Sequence, residues 1–262
     1  MKTNRIDRLL PKSVTHACAL ATMTKAPRAG EVKTRLVPPL THSEAAALSV
    51  CLLQDTAANM AEVAARTAAH PVAVYAPAGS EKEFDGLLPV EFSLLSQSNG
   101  SLGDRLLNAT RDLLRAGYES VCLINSDSPT LPPRRLDDAI ALLARPGDRI
   151  VLGPADDGGY YLIGLKHAHH RVFEDVEWST ERVLGQTIER ASEINIDVEL
   201  LPPWYDLDDA RTLARACQEL LTSNENGGYP APRTRDYLKR LLQAHGRERI
   251  WSAETISDPE WE

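Results

Sequence analysis

The sequence predicts an α/β fold with three layers, α/β/α, around a mainly parallel central sheet. Strand-like and helix-like segments alternate through most of the 262 residues, which is the pattern of a sheet covered by helices. Residues 120–125 are nearly all apolar, as expected for a central strand that is covered on both faces. With 43% hydrophobic residues, the chain is long enough to bury the core of one large domain.

The elements follow in order along the chain. The apolar run at residues 16–22 predicts the first strand. Thr41 and Glu44 have the spacing of a capping box, which predicts the start of an Ala- and Leu-rich helix that continues to about Ala69. Gly117 is a suitable residue to end a later helix. The other predicted elements are strands at 71–76, 91–97, 120–125, 149–153, 160–165 and about 198–201, and helices at about 102–116, at 134–144, from near Ser179 and from around Asp209.

The chain is expected to have three parts: an N-terminal tail (1–14), the α/β domain (15–221), and a linker with a C-terminal helical tail (222–262). Residues 223–232 are rich in Gly, Pro, Ser and Asn, as linkers are. Residues 234–247 fit one amphipathic helix. Because this tail is too small for a core of its own, it must dock on the domain, pair with a second subunit in a homodimer, or stay mobile.

Composition excludes several classes of protein. A net charge of −8 argues against nucleic-acid binding, which depends on a basic surface. The four cysteines form no C-x-x-C pair, so we expect free thiols in a reducing cytoplasm. The first residues do not resemble a signal peptide, and no apolar stretch approaches the ~18 residues of a membrane span.

A basic loop follows the first strand. It contains Lys25, Arg28, Lys33 and Arg35, together with a proline and a glycine that prevent regular structure. These cations are expected to converge beyond the strand end, where they suit a phosphate-bearing ligand. The alternative is a solvated loop, since short basic runs are common.

Carboxylates follow other strands. Asp127 comes directly after the buried strand at 120–125, and in α/β sheets ligands bind beyond the carboxyl ends of strands. A carboxylate beside phosphate-binding cations predicts a bridging Mg²⁺. Asp208 is the expected second metal ligand, with Asp206 close behind. The alternatives are that Asp127 caps a turn and that Asp208 or Asp209 caps the following helix.

Two Gly-containing segments add candidate substrate contacts. The first opens the helix at 102, where exposed backbone N–H groups suit a base or ribose, although a tight turn explains it equally well. The second segment, residues 156–161, combines two acids with two glycines and two aromatic residues, which suits a hydroxylated substrate. Asp157 is the candidate general base. Trp178 is a candidate wall of the acceptor site. The other residues in these two segments that we expect to bind substrate are Gln97, Gly100, Gly103, Arg105, Gly158, Gly159 and Tyr160.

Together the motifs at 25–36, 102–106, 126–129, 153–161, 178–180 and 204–208 resemble a bacterial family with the nucleotide-diphospho-sugar transferase (GT-A) fold. That family is described as glycosyltransferase-like and in part as arsenosugar-biosynthesis glycosyltransferases. The same fold serves phospholactate and molybdopterin guanylyltransferases. Residues 33–36 resemble the phosphate-binding lysine segment of those enzymes. The resemblance covers roughly residues 17–221 and implies a nucleotide-phosphate substrate, with Mg²⁺ or Mn²⁺ at Asp127 and Asp208. The Ser-Asp-Ser motif at residues 126–128 differs from the Asp-x-Asp motif of many sugar transferases.

Three functions remain open. The first is a metal-dependent glycosyltransferase that moves a sugar from a nucleotide-diphospho-sugar to a small acceptor, with Lys33, Asp127 and Asp157 as the catalytic residues. The second is a nucleotidylyltransferase that joins a nucleotide to a phosphate- or phosphonate-bearing molecule and releases pyrophosphate. The third is a nucleotide-binding module without catalysis. The residues alone make the first two nearly equal, and the resemblance favours sugar transfer.

Overall fold

The protein is described by a computed structural model that covers residues 17–222 and 228–250. The predicted N-terminal tail, residue 16 of the first predicted strand, residues 223–227 of the linker and the last twelve residues lie outside this part of the chain. The strands are β1 Cys18–Lys25, β2 Ala69–Ala76, β3 Ser93–Ser96, β4 Ser120–Ile124, β5 Ile150–Pro154, β6 Tyr160–Leu165 and β7 Val198–Leu200. The helices are α1 His42–Ala64, α2 Leu102–Arg115, α3 Pro133–Ala144, α4 Val183–Glu193, α5 Ala210–Thr222 and α6 Pro232–His245.

The strands form one seven-stranded sheet in the order β3-β2-β1-β4-β6-β5-β7. All neighbouring pairs are parallel except those of β6, which runs antiparallel to both β4 and β5. The predicted mainly parallel sheet is therefore confirmed. Because β6 is reversed, its first residue lies at the same edge of the sheet as the last residues of the other strands.

Alternate residues of the central strands enter two separate cores. On one face, Leu20 of β1 packs in a core with Leu53 of α1 and Leu136 of α3. On the other face, Ala21 packs in a core with residues of α2 and α4, among them Leu107. This period of two places helices on both faces of the sheet, as the apolar central strands predict.

Local sequence determines where two of the helices begin. Thr41 and Glu44 form the predicted capping box of α1: the Thr41 hydroxyl accepts from the Glu44 N–H, and the Glu44 carboxylate accepts from the Thr41 N–H. Ser101 and Asp104 do the same for α2. Such a cap contributes about 1 kcal/mol to helix stability.

The structure corrects two predicted helix boundaries. Helix α1 ends at Ala64, five residues before the predicted Ala69, because the N–H groups of Arg66 and Thr67 turn back to carbonyls three residues earlier. The helix predicted to start near Ser179 begins at Val183, since Ser179 has a φ of 65°. That left-handed conformation does not continue into a helix.

The C-terminal helix α6 docks on the domain. Its buried Leu238 and Leu241 pack in a third core with residues of α1 and α5, among them Leu48 and Leu213. Of the three fates left open for the tail, docking is observed for α6, and pairing with a second subunit stays a prediction. No helix of the described residues is long and apolar enough to cross a membrane.

Candidate active site

Loops that follow the carboxyl ends of the parallel strands surround one cavity of about 730 Å³. The basic loop follows β1, the segment with Asp127 follows β4, and the segment with Asp206 and Asp208 follows β7. The turn with Asp157 joins β5 to β6, so it reaches the same edge. This is the edge of an α/β sheet at which ligands generally bind.

Lys33 occupies the centre of the charged part of this cavity. Its backbone has a φ of 50°, a left-handed conformation that is uncommon for residues with a side chain. The side chain is only 5% exposed, and its Nζ lies 2.9 Å from Asp127 Oδ2 and 3.4 Å from Asp208 Oδ1. It also donates to the carbonyl of Leu207 at 2.7 Å. Lys33 thus joins the β4 and β7 loops through a buried ammonium group.

Further contacts hold the two carboxylates in place. Ser126 Oγ lies 3.2 Å from Asp127 Oδ1, and the Leu207 N–H donates to the Asp127 carbonyl at 2.9 Å. Arg35, which is 66% exposed, pairs with Asp208 Oδ2 at 2.9 Å. Two cations of the basic loop are therefore oriented by the two acids predicted to bind metal.

The electrostatics of the cavity are dominated by clustered acids. Burial alone would lower the pKa of Lys33, but Asp127 and Asp208 raise it above its ordinary value, so the ammonium stays charged. Burial, followed by the charges of Asp157 and Asp127, raises the pKa of Asp206 to about 6. Around Lys33, three carboxylates, those of Asp127, Asp206 and Asp208, therefore act on one buried ammonium group.

The raised pKa of Asp206 gives a testable pH dependence. An unfolded aspartate titrates near 3.9, so between pH ~4 and ~6 the folded chain holds a proton that the unfolded chain has lost. The free energy of unfolding must fall across that window, and the penalty persists at higher pH. We expect Asp206→Asn to stabilise the ligand-free protein by about 1–2 kcal/mol at pH 8 and by nothing measurable at pH 4.

Urea unfolding at the two pH values measures this difference. The matched control is Asp236→Asn, which removes an exposed carboxylate on α6 and should change neither value. An equal effect of Asp206→Asn at both pH values would contradict the electrostatic origin of the penalty.

The two acids of the β5–β6 turn have different partners. Asp156 pairs with Arg215 of α5 at 2.6 Å and does not line the cavity. Asp157 does line it, while its Oδ1 accepts from the Gly159 N–H at 2.9 Å. Gly158 has a φ of +86°, and a Cβ there would lie 2.3 Å from the Glu181 carbonyl oxygen. The glycines thus hold a tight turn that presents Asp157 to the cavity.

Two aromatic rings form a wall beside this turn. Tyr160 and Trp178 meet edge to face, with ring centroids 6.5 Å apart. Gly103 of α2 lies directly behind Trp178, because a Cβ at that position would come within 2.8 Å of both Trp178 Nε1 and the Phe173 carbonyl oxygen. The predicted role of Gly103 in substrate binding is not tested by this contact, but its packing against the Trp178 ring is clear.

We expect Gly103→Ala to displace the Trp178 ring and to lower the free energy of unfolding by about 1–3 kcal/mol, the usual effect of overpacking. The measurements are urea unfolding and Trp fluorescence. Gly185→Ala in α4 is the control, since nothing lies within 4 Å of a Cβ there and Ala favours a helix. Unchanged fluorescence and stability in Gly103→Ala would show that the contact does not constrain the ring.

Gln97 also lines the cavity, but its amide holds strand ends together. Its Nε2 donates to the carbonyls of Thr24 and Val74 at 3.0 and 2.7 Å, and its Oε1 accepts from Arg105 at 3.3 Å. Both amide hydrogens are therefore used within the protein. Arg105 is left beside the cavity with its guanidinium oriented by Gln97.

The structure brings most of the predicted site residues to one place. Those that line the cavity are Lys25, Lys33, Arg35, Gln97, Arg105, Asp127, Asp157, Gly159, Tyr160, Trp178, Asp206 and Asp208. Four others do not line it: Arg28, which pairs with the exposed Glu83 at 2.5 Å, and Gly100, Gly103 and Gly158. The roles assigned to all of these residues remain predictions.

Sequence reasoning missed several polar residues of the cavity, including Asn125, Ser179 and Glu181. Asn125 had a usable signal, because it is the residue between the end of β4 and Ser126-Asp127. Ser179 lies where the sequence predicts the start of a helix, and its left-handed backbone is not readable from the sequence. Glu181 had no signal apart from its place near Trp178.

The fold is that of nucleotide-diphospho-sugar transferases. A protein of Desulfovibrio desulfuricans G20, described as a "putative nucleotide-diphospho-sugar transferase", matches with a TM-score of 0.75 and 28% identity over 89% of this chain and 98% of that one. A cytidylyltransferase of Leptospira borgpetersenii serovar Hardjo-bovis matches with a TM-score of 0.50 and 10% identity, over 94% and 99% of the two chains. At that identity the likeness concerns the fold alone.

Residues 59–180 match the model of a protein family described as "Uncharacterized protein conserved in bacteria (DUF2064)". The matched part contains Asp127, Asp157 and Trp178 but not Lys33 or Asp208. No curated protein matches the chain. The resemblance to GT-A-fold transferases that the motifs indicate is confirmed by the likeness to the Desulfovibrio protein.

The residues around Lys33 fit a divalent cation. Their donors are carboxylate oxygens, the ligands that Mg²⁺ and Mn²⁺ prefer, and Asp127 and Asp208 already converge on a positive group. Asp206 lines the same cavity. Asp127 and Asp208 are the residues that would hold the ion, and the ligand roles of Asp127, Asp208 and Asp206 stay predictions.

Proposed function

We propose that the protein is a metal-dependent glycosyltransferase that moves a sugar from a nucleotide-diphospho-sugar to a small acceptor. The observation that carries this proposal is the buried Lys33 ammonium between Asp127 and Asp208. It stands in one cavity with a separate carboxylate, Asp157, and with an aromatic wall. The ammonium group supports a donor site that binds phosphates, and Asp157 with the aromatic wall supports an acceptor site that contains a base.

The cations of the cavity stabilise the diphosphate as it leaves. Lys25, Lys33, Arg35 and Arg105 all line it and balance the charge that develops on the leaving oxygen when its bond to the sugar breaks. Removal of one such preorganised group commonly costs about 10²–10³ in kcat. A bound Mg²⁺ or Mn²⁺ would supply further stabilisation of phosphate charge at Asp127 and Asp208.

Asp157 is the group that accepts the acceptor's proton. In the transfer, an acceptor hydroxyl oxygen forms a bond to the anomeric carbon, the bond from that carbon to the diphosphate breaks, and the hydroxyl proton passes to the Asp157 carboxylate. The hydrogen bond from Gly159 holds this carboxylate in position. The rings of Tyr160 and Trp178 offer apolar surface for the face of a sugar or acceptor.

Nucleotidyl transfer is the second candidate, and a specific observation favours it. Four cationic side chains line the cavity, which is more than a diphosphate requires and suits in-line displacement at the α-phosphorus of a nucleoside triphosphate. In that reaction a phosphate or phosphonate oxygen of the acceptor attacks, and pyrophosphate leaves. A nucleotide-binding module without catalysis is the third candidate, but it leaves Asp157 without a role.

One experiment separates these functions. The protein is incubated with Mg²⁺ or Mn²⁺ and either nucleotide-sugars or nucleoside triphosphates, each with pooled hydroxylated or phosphorylated acceptors. Release of nucleoside diphosphate that depends on a hydroxylated acceptor supports sugar transfer. Pyrophosphate release that depends on a phosphorylated acceptor assigns the second function instead, and nucleotide binding without turnover assigns the third.

Cytoplasmic location and a homodimer through the tail remain parts of the proposal. Leu238 and Leu241 are already buried within the chain, so a dimer would have to use the other, charged face of α6. Sedimentation of the wild type and of a chain that ends at residue 222 measures whether the tail mediates dimers.

A further inference from the structure

A second group of ligand-type side chains lies at the edge of the sheet opposite the cavity. Asp148 precedes β5, while His167 and His169 follow β6. Leu165, the last residue of β6, pairs with Val121 and Ile150, which lie at the starts of β4 and β5. About five residue steps of strand, or ~17 Å, separate the two ends of β6. This group is therefore remote from the residues of the proposed function.

The three side chains converge on one point. Asp148 Oδ2 lies 2.8 Å from His169 Nε2, and Asp148 Oδ1 lies 3.2 Å from His167 Nδ1. One ligand atom from each residue can be chosen so that all three lie within 4.8 Å of one another. Around a zinc ion, ligand atoms at ~2.0–2.2 Å stand about 3.4 Å apart in tetrahedral geometry. The 2.8 Å contact between Asp148 Oδ2 and His169 Nε2 is shorter than that spacing, so an ion would take the place of this hydrogen bond.

Hydrogen bonding leaves one oxygen of this group unused. Asp148 Oδ1 is shielded from solvent and has no hydrogen-bond partner among the described residues, although His167 lies close to it. A shielded carboxylate oxygen whose contact is an ion pair at 3.2 Å, with no hydrogen bond, is incompletely satisfied. His167 is 68% exposed, whereas His169 and Asp148 are 17% and 23% exposed. One ligand is thus on the surface, while the other two are largely buried.

The neighbouring charges do not block the position. Lys166 precedes His167, but its Nζ donates to the carbonyls of Arg145 and Gly147 at 2.8 and 2.9 Å. His170, the next imidazole, pairs instead with Glu174 at 2.7 Å. The Lys166 contacts also hold the turn before β5 against the end of β6, so Asp148 and the two histidines are on segments that the protein already joins.

We propose that Asp148, His167 and His169 bind a transition-metal dication, and that Zn²⁺ is the ion their chemistry fits best. Two imidazoles and one carboxylate are a ligand set that zinc accepts, with water at the open position on the exposed side. Mg²⁺, which prefers oxygen ligands, fits this set poorly. The bound ion would link the turn before β5 to the segment after β6. The proposal of this site does not depend on the proposed transferase function.

Calorimetric titration of the full chain with Zn²⁺ tests the site. The protein is first stripped with a chelator and then titrated in excess MgCl₂, so that Mg²⁺ competes with Zn²⁺ for the oxygen-rich cavity. We expect one Zn²⁺ per chain in this titration. His169→Ala, His167→Ala and Asp148→Asn should each weaken binding at least tenfold, because each removes one of three ligands. Zn²⁺ should also raise the Tm of the wild type and not that of His169→Ala.

Matched variants make the outcome decisive. His170→Ala removes the adjacent imidazole and should bind Zn²⁺ as the wild type does, and so should Asp208→Asn in the distant cavity. Binding that is unchanged in both His167→Ala and His169→Ala would overturn the proposal. Absence of Zn²⁺ binding up to millimolar concentration would also overturn it, and the three residues would then form only a hydrogen-bonded network. Circular dichroism of each variant checks that it is folded.

Discussion

Lys33→Ala should lower turnover of the nucleotide-linked donor by about 10²–10³, the usual effect of losing one preorganised charge at a phosphate site. The ammonium is buried and lies between Asp127 and Asp208. Without it these carboxylates repel each other and an anionic donor alike. The measurement is kcat/KM with the donor that the assay of the proposed function identifies.

Two variants sharpen this test. Lys33→Arg keeps the charge but not the compact ammonium, so we expect only partial recovery. Lys82→Ala removes an exposed cation outside the cavity and should keep kcat/KM within twofold. If Lys33→Ala turned over donor at the wild-type rate while remaining folded, the buried ammonium would have no part in the reaction.

The second large effect concerns stability. Asp55 of α1 is fully buried and accepts from the N–H groups of Arg233 and Thr234 at 3.2 and 2.7 Å. It thus caps the first turn of α6 and complements the positive end of that helix. Asp55→Ala leaves these two N–H groups without a partner, and each unsatisfied buried donor costs about 1–3 kcal/mol.

We therefore expect Asp55→Ala to lower the free energy of unfolding by about 3 kcal/mol and to release α6 first. Urea unfolding gives the first quantity, and protease cleavage between α5 and α6 reports the second. Asp236→Ala, an exposed acid on α6 itself, should change neither. A stability change below 0.5 kcal/mol in Asp55→Ala would mean that apolar packing alone docks the helix.

Much of the fold follows from local signals in the sequence. The capping residues Thr41 and Glu44 lie where the pattern places the start of α1, and Gly117, with a φ of +108°, ends α2 as predicted. The strand-like and apolar runs predict every strand of the sheet to within a few residues. These runs do not show in which direction a strand runs, so the antiparallel orientation of β6 is seen only in the structure.

The site was less predictable, since it depends on where side chains of the same type point. Arg28 and Lys33 are cations of one loop, but Arg28 pairs with exposed Glu83, while the left-handed backbone at Lys33 accompanies a buried ammonium. Asp156 and Asp157 are adjacent, but only Asp157 lines the cavity. These differences depend on contacts between residues that lie far apart in the chain, and the spacing of residues in the sequence does not reveal such contacts.

Cation-dependent nucleotide binding is the most direct test of the central claim, which is that Lys33, Asp127 and Asp208 form one site for phosphate and metal. Calorimetry with a panel of nucleoside diphosphates, with and without Mn²⁺, measures it in the wild type, Lys33→Ala and Asp127→Asn. We predict that at least one nucleotide binds only with Mn²⁺ and that each variant weakens this binding at least tenfold. Equal binding with and without the cation, or in the wild type and both variants, would contradict the account.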